Sequence, residues 1–370
     1  MKKRTAWLMS MVFGCVSALS ACGQLDDESG RGEPANAATS SSAAARSKPA
    51  RATIQLSRLP FVASVATFSP RRPRAWVSIQ RWDGAVWRTA ISGRQSRAGT
   101  FAFALSPTTS IGQKYRAVSV SGRGGRLVSR VASPSTRWRK VWGDEFAGTR
   151  LDPGKWRTRV QEATGRRQCA TPGPALVHVR SGQAILGIRR VGGKTRACPH
   201  GVFKNAMIGT GEPTPGFSAR YGLFAARLKF QAGRGQHGAF WMQAAESGGA
   251  EIDVAEYFGD HRSDGGIGSF IHKTSSTGAL TSVGGARRSV KKLLGKRRTP
   301  SNGWHVWSVE WYPGGYVFRM DGHVTMRTSR ARVAVREYLV LSLLTSDWEL
   351  PALNTTTSTM KVDWVRAWQH

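Results

Sequence analysis

Glu251, Asp253 and Glu256 put three carboxylates into six residues of a chain whose formal net charge is +33. Carboxylates this close repel one another and push their pKa values apart. In an extended strand side chains alternate faces, so Glu251 and Asp253 point the same way and Glu256, five residues on, points to the other. One extra residue, a β-bulge, would return Glu256 to the face of the first two. Two glutamates on one face are what a retaining glycosidase needs, one as nucleophile and one as acid/base, roughly 5 to 5.5 Å apart. A calcium-binding strand or a merely solvated acidic strand is the bland alternative. Ile252, Val254, Tyr257 and Phe258 make the segment a half-buried strand and not a loop.

The elements that must position these acids read as strands throughout. The 370 residues leave room for two domains after a targeting segment, and 42 Gly with little helical periodicity point to an all-β protein. The N-terminal segment 1–21 has a basic start, Lys2-Lys3-Arg4, and a short apolar run, Ala6 to Ala18, too short to span a membrane. Leu19-Ser20-Ala21-Cys22 resembles a bacterial lipobox, which implies lipidation at Cys22 and an extracytoplasmic, membrane-anchored protein; ordinary secretion is the alternative. Residues 22–52 are rich in Ser, Ala, Gly and Pro and read as a disordered tether.

Residues 53–135 alternate in short runs (Ile54 to Leu59, Trp76 to Trp82, Val86 to Ile91, Phe101 to Leu105, Tyr115 to Val120), with Asp83-Gly84 as a hairpin signal. They predict a small β-sandwich, and Val77 to Ala90 with Tyr115 to Val118 resemble the immunoglobulin-like modules of secreted bacterial enzymes. From Arg51 to Arg137 there are 15 Arg or Lys and one acid, Asp83. Such one-sided charge draws polyanions, here an anionic cell-wall polymer or membrane surface and not nucleic acid, unless it reflects only an Arg-rich composition. Of four cysteines, Cys15 leaves with the signal and Cys22 carries lipid, so Cys169 and Cys198 are expected to form a disulfide, a free or metal-bound pair being the alternative.

From residue 138 to 370 the order of motifs is distinctive. Trp142-Gly143-Asp144-Glu145-Phe146 leads to Leu151-Asp152 and Trp156; His237 to Gln243 precedes the acids; Trp304 to Trp311 and Tyr316 to Gly322 read as a β-meander; Tyr338 to Leu344 and Met360 to Trp368 are the last strands. The basic run Arg287 to Arg298 reads as a short helical turn or a loop. This order, with the Glu-x-Asp-x-x-Glu signature, resembles glycoside hydrolase family 16 in its bulged, laminarinase-like subgroup. The resemblance implies a concanavalin A-like jelly-roll β-sandwich with the acids in a cleft on the concave face.

It also implies roles: Glu251 as nucleophile, Glu256 as general acid and then base, Asp253 as modulator between them. Trp241 matches a cleft tryptophan, with a core Trp as the structural alternative. His272 falls where members carry a cleft histidine, although a lone His is more often structural. Trp348 is a candidate sugar platform, whereas His305 reads as structural. Asp363, helped by a residue near Glu145, matches a structural calcium position; catalysis itself needs no cofactor. His237 stands where the family's usual tryptophan begins W-P-A-F-W, Ala225 replaces a usual glutamate, and Glu246 to Ala250 lack a tryptophan common in laminarinases. The implied activity is retaining endo-hydrolysis of a β-glucan, most naturally β-1,3-linked, by a monomer. A transglycosylase remodelling envelope polysaccharide and a non-catalytic glucan-binding protein are the alternatives.

Overall fold

The fold is given by a computed structural model, which describes residues 50–106, 109–120, 125–160, 167, 169–211, 216–245, 249–260, 266–275, 279–295, 298–330, 332–346 and 349–370. Cys22 and Trp348 therefore lie outside the described residues.

The N-terminal region forms two small antiparallel sheets. One pairs Arg51–Gln55, Ser64–Ser69 and Thr100–Phe103; the other runs Trp87–Arg94, Trp76–Trp82, Tyr115–Val120, Arg126–Val128. Alternate residues from both sheets (Phe68, Val77, Ile79, Phe103, Tyr115, Ala117) are buried together, as period-2 patterning requires. Asp83 closes the hairpin by accepting the Ala85 and Val86 N–H groups. The alternation from Ile54 to Leu59 does not continue as a strand. Leu59 and Phe61 instead pack against Trp364, Trp368, Leu223 and Ala225 of the larger sandwich, with Phe61 5.8 Å from the Trp368 ring. Their apolar spacing serves this packing and not a ladder.

The larger region is an all-β jelly-roll sandwich. One sheet, which carries the acids, runs Glu337–Thr345, Gln236–Ala244, Ala250–Tyr257, Ile267–Thr274, Leu280–Arg288 in antiparallel order. The facing sheet is built around Thr357–Gln369, which pairs Gln183–Gly192 and Arg139–Asp144 on one side and Gly222–Lys229 on the other. It continues through His305–Tyr312, Gly315–Met320 and His323–Thr328. Val202–Gly209 belongs to both sheets: Phe203 and Asn205 pair with Gln183–Gly192, while Ala206–Gly209 pair with Glu337–Thr345. A strand that changes sheets makes the corner of such a sandwich.

Between the sheets lies one large core, including Phe224, Phe240, Met242, Ile252, Trp307, Trp311, Phe318, Leu339 and Leu341. Burying side chains of this size contributes roughly 1.5–3 kcal/mol each before entropy is counted. Cys169 and Cys198 are bonded, 29 residues apart in sequence, beside the parallel pairing of Ala170–Pro172 with Val202–Gly209. The basic run contains one short helix, Val290–Leu294.

Candidate active site

The acidic strand is bulged where the spacing of its acids requires it. Asp253 pairs with Phe270 and Glu256 with Gly268, so three steps on one strand match two on its neighbour. On the other side Ala255 pairs with Phe240 and Asp253 with Trp241, which makes Val254 the extra residue. Val254 and Ala255 are both buried in the core. Two successive inward residues turn Glu256 to the face of Glu251 and Asp253.

That face opens on a cleft of about 630 Å3, within the range of small-ligand sites. All three acids line it, with Trp241, His272, Ser342, Arg167, His237 and Arg287. Trp241 is half-buried, donates from Nε1 to Ser342 Oγ at 3.2 Å and has the Arg159 guanidinium 5.6 Å from its ring. Arg159 also bonds Gln243 Oε1 at 2.9 Å, which accepts the Tyr338 hydroxyl at 2.7 Å. Phe270 lies across two glycines: a Cβ at Gly268 or Gly285 would stand 2.3 Å from its ring. A larger residue at either position would displace that ring from the cleft wall.

The electrostatics follow from crowding. Burial, then the charge of Glu256, push Glu251 up to about 7, against the pull of Arg167 and Arg159. Burial, then Glu256 and Glu251, hold Asp253 well above the usual carboxylate range. His272 Nε2 lies 3.3 Å from Asp253 Oδ2, and burial lowers the His272 pKa while Glu256 pulls it the other way. The cluster thus keeps protons at pH values where solvated carboxylates have lost them. Glu251, Asp253 and His272 also bring ligand atoms within 4.8 Å of one another, a spacing open to a cation.

The structure therefore brings together Glu251, Asp253, Glu256, Trp241 and His272. Asp363, the expected structural calcium position, is paired with an arginine. Asp363 Oδ2 meets Arg227 at 2.5 Å, and Glu145 takes two bonds from Arg366, at 2.8 and 2.7 Å. Calcium wants six or more oxygen ligands, and a guanidinium against each acid fills the place with positive charge. His305 is structural, buried with Nδ1 2.7 Å from Asp321 Oδ2. Not legible beforehand were His237, Arg167, Arg159 and Arg287. His237 shared one signal with Trp241: residues 237, 239 and 241 fall on one strand face.

Residues 199–366 match the model of Glycosyl hydrolases family 16. The chain is 25% identical over 265 residues to Glucan endo-1,3-beta-glucosidase A1 of Niallia circulans, covering 62% of this chain and 37% of that protein's length. The laminarinase catalytic domain from Thermotoga maritima superposes with a TM-score of 0.51 at 18% identity, covering 63% of this chain and 98% of that one. An endo-β-1,3-glucanase from Pyrococcus furiosus gives 0.50 at 18%, covering 63% and 94%. At such identities the structural likeness speaks for the fold, and the family match falls on the strands that hold the acids. The stretch that matches the model of Glycosyl hydrolases family 16 includes the strand that carries Glu251, Asp253 and Glu256.

Proposed function

We propose that this protein is a retaining endo-glycosidase acting on β-1,3-linked glucan. The observation that carries the reading is the bulge at Val254, which sets both glutamates on one cleft face with Asp253 between them. Glu251 as carboxylate attacks the anomeric carbon while the glycosidic C–O bond breaks, and Glu256 gives its proton to the departing oxygen. Glu256, now a carboxylate, takes a proton from water as that water's oxygen displaces Glu251. Burial raises the pKa of Asp253, which favours its protonated form as a donor to a neighbouring carboxylate. Trp241 offers an apolar face for a sugar ring. No step calls for a cofactor. The β-1,3 linkage is supported by the name of the Niallia circulans relative.

The surroundings fit a cell-surface enzyme. Lys2 to Cys22 read as an export and lipidation segment, and the fifteen basic residues between Arg51 and Arg137 suit an anionic wall polymer or membrane. Incubating the protein with β-1,3-glucan and sized oligomers should give shortened products, and Glu251→Gln and Glu256→Gln should each remove them while the fold persists. Lengthened chains would indicate transfer to a sugar in place of water. Binding without any product would overturn the enzyme reading.

A further inference from the structure

His237 sits against Glu256 in an arrangement that neither the signature nor the acid pair explains. Its ring is buried, stacked on Phe258 with centroids 4.5 Å apart. Nδ1 is 2.7 Å from a terminal nitrogen of Arg167, whose Nε donates to the Thr345 carbonyl at 3.1 Å. A guanidinium has only N–H donors, so Nδ1 must accept and the ring proton belongs on Nε2. Nε2 lies 2.6 Å from Glu256 Oε1, off the line of an ideal hydrogen bond. Contacts of this kind in free enzymes commonly come into line only when substrate is bound.

We propose that His237, locked in its Nε2–H tautomer by Arg167, is a positioning residue for Glu256. The inference rests on the glycosidase reading. With Oε1 held by His237, Glu256 gives and receives its proton through Oε2. As Glu256 gives its proton to the departing oxygen, negative charge develops on its carboxylate, and the Nε2–H donor strengthens with that charge. An interaction stronger in the transition state than before it accelerates the step. The same contact fixes the carboxyl plane, so Oε2 meets the glycosidic oxygen without a search over rotamers.

The test compares two substrates that need different amounts of acid help. One is β-1,3-glucan, whose departing sugar oxygen must be protonated. The other is the 2,4-dinitrophenyl β-glycoside of the β-1,3-linked glucose disaccharide, whose departing phenolate needs no proton. His237→Ala should lose about 10- to 100-fold in kcat/KM on the glucan, a fraction of what a whole general acid supplies, and little on the aryl glycoside. His237→Gln, which returns an N–H near the Nε2 position, should recover part of the loss. Thermal melting of both variants checks the fold. Equal losses on the two substrates would make His237 a structural residue and overturn the proposal, as would no loss on either. A native protein inert on both would instead remove the glycosidase reading, and this proposal with it.

Discussion

The two outer faces of the sandwich use the same residue types in opposite ways. On the facing sheet three acids meet arginines: Asp363 with Arg227, Glu310 with Arg319, Glu145 with Arg366, at 2.5 to 2.7 Å. On the cleft sheet the acids meet one another, and the nearby arginines turn to rings and histidine: Arg159 to Trp241, Arg287 to Phe258 and Phe270, Arg167 to His237. Pairing lowers the pKa of Glu145 through the Arg366 hydrogen bonds, while burial and crowding raise those of Glu251 and Asp253. Matched acids are finished contacts; crowded acids retain protons that chemistry can use.

The sharpest break of this comparison is to remove one acid from each face. Glu256→Gln should lower glucan hydrolysis by about 10²–10⁴-fold, whereas Glu310→Gln should leave the rate unchanged. Comparable losses in steady-state assays would erase the distinction. The next effect is on pH. Burial and the charge of Glu256 push Glu251 up to about 7. Since attack on the anomeric carbon needs Glu251 as its carboxylate, kcat/KM should rise with pH up to about 7; a rate already level from pH 4 upward would contradict it.

A third test concerns an acid on the cleft sheet that is buried but lies outside the reaction. Burial pushes Glu337 up to about 9, against the bond it accepts from the Ala250 N–H at 3.1 Å. A carboxyl whose folded pKa is raised stabilises below its unfolded value and loses that contribution as pH rises through the folded one. Melting temperature should therefore drop less between pH 5 and pH 9 in Glu337→Gln than in the native protein. A variant with the native slope would show that Glu337 is already ionised. The smallest effect is expected at the matched acids. Asp363→Asn should cost about 1 kcal/mol or less, because the Asp363–Arg227 pair is partly exposed. Addition and chelation of calcium should not change its melting.

What the sequence made legible was local. The odd count in Glu251-x-Asp253-x-x-Glu256 forced a bulge, and the structure has it at Val254. Trp241 followed from its place before the acids, and the Cys169–Cys198 bond from counting cysteines. What was not legible depends on distant segments meeting. His237 and Arg167 are 70 residues apart, and Arg159 and Gln243 are 84; no spacing rule connects them. Leu280–Arg288 was not readable as a strand, because its Ser, Gly and Ala residues carry no apolar alternation. Gly285 in that strand makes room for Phe270. At Asp363 a matched position carried the acid across but not the arginine opposite it.

Double displacement by Glu251 and Glu256, acting from one face of a bulged strand, is the proposal on which the rest depends. It is tested most directly by proton NMR of the first reducing ends released from β-1,3-glucan, read before mutarotation. Double displacement predicts the β-anomer first, with α appearing only as the solution equilibrates. The α-anomer appearing first would mean a single inversion by water and would contradict the assignment of Glu251 as nucleophile.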